Sequence, residues 1–188
     1  MEHAKKFSEF IPSVEEALLY KREWRLQGGQ YFNHYQRLKV LFENPAKTQD
    51  ALVAQCEEIY RSYDRRNFGR VQQAINGIAD IQDFTSRVNK GDIDVVMQLR
   101  PSGGYVFSVM FCHHSNPEGY FGCTRPVREA LVKLNKMDCF YPNDFIEDDL
   151  TDYPYFHNIM THFVEYYHLE SLTHLELDIM LRQANGLK

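Results

Sequence analysis

The segment His162-Phe163-Val164-Glu165-Tyr166-Tyr167-His168 sets His, Glu and His at i, i+3 and i+6. On one helix these three fan across about 120°, on the side away from the apolar positions. Glu-x-x-His is the spacing of carboxylate-bridged di-iron sites, which need a second copy on a partner helix. The chain holds no second Glu-x-x-His, so the spacing reads as a solvated polar face. Cys112-His113-His114 with Cys123 offers thiol and imidazole groups, and a structural zinc takes four such ligands. Adjacent residues rarely reach one ion together, and a gap of ten residues between the cysteines is no standard knuckle. These residues read as buried thiols beside capping or surface histidines, and no metal or other cofactor is expected. Neither a nucleophile-elbow sequence nor a Gly-rich phosphate loop occurs, which removes the common hydrolase, kinase and dehydrogenase readings.

Two charge features point to partners instead. Arg61, Arg65, Arg66 and Arg70 face only Asp64, a small basic focus of the kind that phosphate neutralisation requires. Tyr31, Phe32, Tyr35, Tyr60 and Tyr63 stand near it and could stack bases, although aromatic residues at helical spacing more often pack a core. From Tyr141 to Asp178 the chain carries nine acidic residues and neither Lys nor Arg, while residues 1–140 carry 19 basic and 17 acidic ones. The first feature fits DNA, and the second fits a basic protein partner engaged through 141–178.

The elements that must position these residues are helical. A chain of 188 residues, 44% hydrophobic and 25% charged, has the composition of one globular domain. Ser13-Val14-Glu15-Glu16 is a capping box opening a helix stopped at Gly28-Gly29. Apolar positions 31, 35, 38, 41 and 42 predict a helix ended by Asn44-Pro45. Further helices are predicted on the stripes Leu52-Cys56-Ile59-Tyr60-Tyr63, Phe68-Val71-Ala74-Ile75-Ile78 and Ile81-Phe84-Val88, which completes a helical half at 1–90. Residues 91–188 then hold a hairpin and C-terminal helices. Thr124 is expected to cap the helix of Val127, Ala130, Leu131 and Leu134, and Asp152 that of Phe156, Ile159, Met160, Phe163 and Tyr167. Thr173-His174-Leu175-Glu176 is another capping box. Residues 93–111 are ambiguous, because their β-branched and aromatic content suits a β-hairpin, and so an α+β fold, as well as two helices about Pro101-Ser102-Gly103-Gly104. No apolar run reaches the ~18 residues of a membrane span. The start MEHAKKFSEF lacks a signal-peptide core, and four scattered cysteines read as free thiols of a reducing, cytoplasmic compartment.

Residues 101–131 and 151–186 carry a further signal. Pro101-Ser102-Gly103-Gly104, Asn116-Pro117-Glu118-Gly119-Tyr120, Thr124-Arg125-Pro126-Val127, Asp152-Tyr153-Pro154-Tyr155-Phe156, Tyr167-His168-Leu169-Glu170 and Leu175-Glu176-Leu177-Asp178 follow in order. This arrangement resembles a bacterial branch of the helix-hairpin-helix DNA glycosylase-like superfamily. The resemblance implies an all-α fold in which 93–112 is a helix-hairpin-helix. It implies that the backbone amides of Ser102, Gly103 and Gly104 grip a DNA phosphate, and that a pocket receives a flipped base. It also implies a catalytic Asp near Thr124 and a Lys soon after the hairpin. Between Pro101 and Leu131 there is neither Asp nor Lys, and the hairpin lacks the family's Leu-Pro-Gly opening.

The combined expectation is an all-α single domain that binds without catalysis, on a degenerate glycosylase-like scaffold. Its ligand is DNA, a modified base or a protein partner, held at Ser102-Gly103-Gly104, at the Arg focus, and in a pocket of His113, His114, Asn116, Glu118 and Thr124. An active glycosylase would have to use Glu118 or His113 as its general base.

Overall fold

The computed structural model describes residues 30–63, 68–103, 105–141 and 145–185, with the backbone alone at 30–36, 61–63, 100–103, 105–107, 110, 183 and 184. The capping box at Ser13 lies outside the described residues. Those residues form nine α-helices and one 3-10 turn, with no strand among them, so the fold class is all-α. They fall into two compact units, 30–120 and 121–185.

The first unit holds α1 (Gln30–Glu43), α2 (Gln49–Tyr63), α3 (Phe68–Asn76), α4 (Ile81–Asn89), α5 (Asp94–Gly103) and α6 (Tyr105–Ser115). The stripes expected from spacing are its core: Leu38 and Phe42, Leu52, Cys56, Ile59 and Tyr60, Val71 and Ile75, Phe84 and Val88 are all buried. Phe42 joins three helices, meeting Phe84 edge-on at 6.4 Å and Phe111 at 5.4 Å between ring centroids. Asp80 caps α4 by accepting from the amides of Gln82 at 2.9 Å and Asp83 at 3.0 Å.

The ambiguous middle segment is the helix pair α5–α6, whose two helices pack against each other. In α5 the buried residues are Val95, Val96 and Leu99, a helical set, and the amide of Asp94 donates to Asp92 Oδ1 at 3.0 Å. On α6, Ser108, Val109 and every residue from Phe111 to Ser115 are buried. A helix enclosed on all sides has no polar face, so its sequence shows no 3.6-residue period. Burial overrides the β propensity of its residues.

The second unit holds α7 (Arg125–Asp138), a 3-10 turn (Asp148–Thr151), α8 (Tyr153–Tyr166) and α9 (His174–Ala184). The 3-10 turn interrupts what reads in sequence as an acidic loop. Asp152 caps α8 through Tyr155 N at 3.4 Å. The capping box of α9 is complete, with Thr173 N donating to Glu176 Oε2 at 2.8 Å and Glu176 N to Thr173 Oγ1 at 3.3 Å. Thr124 stands at the N-cap of α7, yet its side chain makes no capping hydrogen bond. The backbone there is extended, as a cap requires. Val127, Ala130, Leu131 and Leu134 of α7, and Phe156, Ile159, Met160 and Phe163 of α8, are buried as expected. Among the described residues no helix is long and apolar enough to cross a membrane.

Candidate functional site

Four of the expected pocket residues lie in the first unit, around the end of α6. His113 is fully buried, and its Nδ1 donates to the carbonyl of Tyr120 at 2.7 Å, which fixes the proton on that nitrogen. Tyr120 is held at its other end too, its hydroxyl donating to Asp92 O at 2.9 Å. Burial pushes the Tyr120 phenol well above its usual range. His114 is also buried, its ring 5.8 Å from that of His113.

Asn116 works as a tie between chain segments. Its Nδ2 donates to the carbonyls of Val88 at 2.9 Å and Asn89 at 3.1 Å, satisfying the C-terminal end of α4. Its Oδ1 accepts from Gly119 N at 3.1 Å and closes the Asn116-Pro117-Glu118-Gly119 turn. Gly91, at φ +72°, faces Gly119 so closely that a Cβ on Gly91 would lie 2.9 Å from the Gly119 Cα. Glycine is required there on both counts. Beside it, Arg87 Nε meets Asp92 Oδ2 at 2.7 Å, and that hydrogen bond holds the Asp92 carboxyl below its usual range.

Asn116 and Glu118 share a groove of about 270 Å³ with Lys39, Glu43, Asn89 and Ser115. Glu118 is exposed, and its carboxylate stands 3.9 Å from Lys39 Nζ. A shallower groove of about 550 Å³ begins at the same Glu43 and Asn89 and runs past Lys47, Ser86 and Lys90. His113 and His114 line neither groove, and Thr124 belongs to the second unit. The structure thus joins Asn116 to Glu118 and gives the two histidines separate, structural surroundings.

Of the phosphate-binding candidates, Ser102 and Gly103 are the last residues of α5, and Gly104 lies outside the described residues. Arg61 is on α2 and Arg70 is exposed on α3, while Arg65 and Arg66 lie outside the described residues. Tyr60 is buried and acts as core. The side chains of Tyr31, Phe32, Tyr35 and Tyr63 lie outside the description.

The metal-like spacings resolve differently. Cys112 is buried in the first unit with its thiol pushed upward by burial, and Cys123 sits in the second, its Sγ 3.5 Å from Leu150 O. His162 donates from Nε2 to Phe140 O at 2.9 Å and meets the Tyr141 ring edge-on. Glu165 is exposed, and α8 stops at Tyr166. The expected single helical face therefore fails at His168, which lies past the helix end in a left-handed conformation, φ +56°. Among the described residues no three His, Cys, Asp or Glu side chains converge as a metal site would need.

In the second unit two further sets of contacts involve titratable side chains. Phe121 stacks on His174 at 3.8 Å and also meets His157 at 5.1 Å. Burial lowers the pKa of His157. Asp178, only 3% exposed, pairs with Arg182 Nε at 2.7 Å. The sequence signal was there in part: Asp178 is an acid set in the apolar run Leu177-Asp178-Ile179-Met180-Leu181, with an Arg one turn on.

No family model matches the chain, and no solved structure matches it. Among curated proteins it is similar to one from Haemophilus influenzae described as an uncharacterized protein, with 29% identity over 104 residues, 52% of this chain and 51% of that protein. The chain spans about half the length of the curated relative it matches.

Proposed function

We propose that the chain is a non-catalytic binding protein on a degenerate DNA-glycosylase-like helical scaffold, and that it holds DNA by its phosphates at the turn between α5 and α6. The observation that carries this reading is the helix pair itself, Asp94–Gly103 and Tyr105–Ser115, meeting across one residue. The Arg focus at 61–70 supplies the charge that phosphate contact requires. The non-catalytic part is supported by where the reactive groups go. His113 is committed to a buried carbonyl, and Glu118 is an exposed carboxylate beside a lysine. Neither is placed as a general base in a pocket closed to water.

Fluorescence anisotropy with a labelled duplex across a salt series tests this reading. The expected result is submillimolar affinity that falls as salt rises. In the Arg65→Glu/Arg66→Glu double variant, affinity falls and the salt slope flattens by roughly two units. Unchanged affinity and slope in that variant would remove the basic focus from the account.

A second reading has its own observation. Glu147, Asp148 and Asp149 are consecutive and exposed, and Ile146 beside them is 52% exposed. This surface in 141–178 fits a basic protein partner. Salt-sensitive co-purification with a basic protein, in a chain that leaves DNA unbound, would favour it over the first.

A further inference from the structure

Four partly exposed rings stand in a row on the second unit. The centroids of Phe145 and Tyr141 are 6.5 Å apart, those of Tyr141 and His162 5.2 Å, and those of His162 and Tyr166 6.3 Å. Single exposed apolar residues are ordinary on a surface, whereas contiguous ones mark a contact site. The row is also held in place. Tyr141 is fixed at both ends, its amide donating to Asn135 Oδ1 at 2.8 Å and its hydroxyl accepting from Asn158 Nδ2 at 2.9 Å. Phe145 stands edge-on to the buried Phe140 at 6.3 Å, and the amide of the next residue, Ile146, donates to Tyr155 Oη at 2.7 Å. Tyr155, Asn158, His162 and Glu165 recur at steps of three and four, so one face of α8 carries both fastenings and part of the row. A partner that meets these rings has little left to order.

The charges beside the row select the partner. Asp148 and Asp149 open the 3-10 turn just after Ile146, and Glu165 stands one helical turn on from His162. These three carboxylates are exposed and form no ion pair among the described residues, while Glu147 beside them is answered by Lys136 at 3.3 Å. Such a set repels phosphate, so nucleic-acid bases are not what these rings stack. A cation is drawn both by the carboxylates and by the faces of the rings. Arginine suits both, because its planar, weakly hydrated guanidinium lies on a ring while its N–H groups reach a carboxylate. The lysine ammonium is a compact and strongly hydrated charge, and it gains less from a ring. We propose that the row of Phe145, Tyr141, His162 and Tyr166 is a docking surface for an arginine-bearing segment of a basic protein, its guanidinium groups stacked on the rings and paired with Asp148, Asp149 and Glu165. The proposal rests on the reading of 141–178 as a surface for a basic partner and names the side chain recognised there. It is independent of the DNA reading, which concerns the other unit.

Fluorescence anisotropy with the full chain and labelled octa-arginine or octa-lysine, at one salt concentration, tests the proposal. The two peptides carry the same charge, so their difference reports the rings. The expected result is octa-arginine bound about tenfold more tightly than octa-lysine. In Tyr141→Leu/Phe145→Leu, which keeps the charge and the apolar bulk, the octa-arginine affinity falls to that of octa-lysine. Phe145→Leu alone is expected to reduce the preference about threefold, and it carries the comparison if the double variant loses its helical circular dichroism. Asp148→Asn/Asp149→Asn/Glu165→Gln, at exposed positions, weakens both peptides. Equal affinities in the native chain, or a preference that survives the ring substitutions, would overturn the proposal and leave the acidic surface standing as a site for a basic partner. Affinities unchanged in the triple variant would place the peptides elsewhere and overturn it as well. Binding of neither peptide would remove the basic-partner reading, and the proposal with it.

Discussion

Asn116 has the look of a pocket residue in the sequence, since it opens a Gly-containing turn just after two histidines. In the structure it holds the end of α4 to the turn after α6 through two carbonyls and one amide. A carboxylate cannot replace it, because an Asp there would put charge against two carbonyl oxygens at a helix C-terminus. Asn116→Ala is expected to lower unfolding stability in urea by about 1–3 kcal/mol, and Asn116→Asp by at least as much at neutral pH. An Asp variant as stable as the native chain would show that these bonds carry little. His113 teaches the same lesson, its imidazole joined to the Tyr120 carbonyl and closed to solvent. Residue type and proximity in sequence suggested chemistry, and their hydrogen bonds to backbone carbonyls assign both residues to the scaffold.

At the scale of elements, capping chemistry was legible where both partners are local. The Thr173/Glu176 box, the Asp152 cap and the stop at Asn44-Pro45 all appear as their residue types require. Thr124 is the exception, its hydroxyl buried without a hydrogen-bond partner and making no cap for α7. Spacing left the helix pair α5–α6 undecided against a β-hairpin, because the described side chains of α6 are buried on every side and show no period. What starts α5 is more specific: Asp92 accepts from the amide of Asp94 through one oxygen and pairs with Arg87 through the other. Asp92→Asn keeps the amide contact and loses the ion pair, a change of about 0.5–1 kcal/mol for a partly exposed pair. Asp92→Ala loses both, and about 1–2 kcal/mol. Because the folded-state pKa of Asp92 is depressed, the native advantage over Asn is full above the unfolded value near pH 4, and it disappears as pH falls through the folded one. Urea midpoints at pH 7 and pH 3 check this. An Asn variant that trails the native chain equally at both values would contradict the pairing.

At the scale of the whole molecule, charge and architecture divide in the same way. The basic focus and the helix pair belong to 30–120, and the acidic stretch belongs to 121–185. That division was partly visible, since a count of charges along the chain already separates 141–178 from the rest. Its boundary at Tyr120 was not visible, because the turn at Asn116-Pro117-Glu118-Gly119 reads as part of the C-terminal half until its ties to Val88, Asn89 and Asp92 are seen.

The central claim is binding without catalysis, and one measurement addresses it most directly. Duplexes carrying modified bases would be incubated with stoichiometric protein, and free base and retained DNA would be quantified together. The account predicts DNA retained by the protein with every base in place. Base release above the spontaneous rate that rises with protein concentration would contradict it.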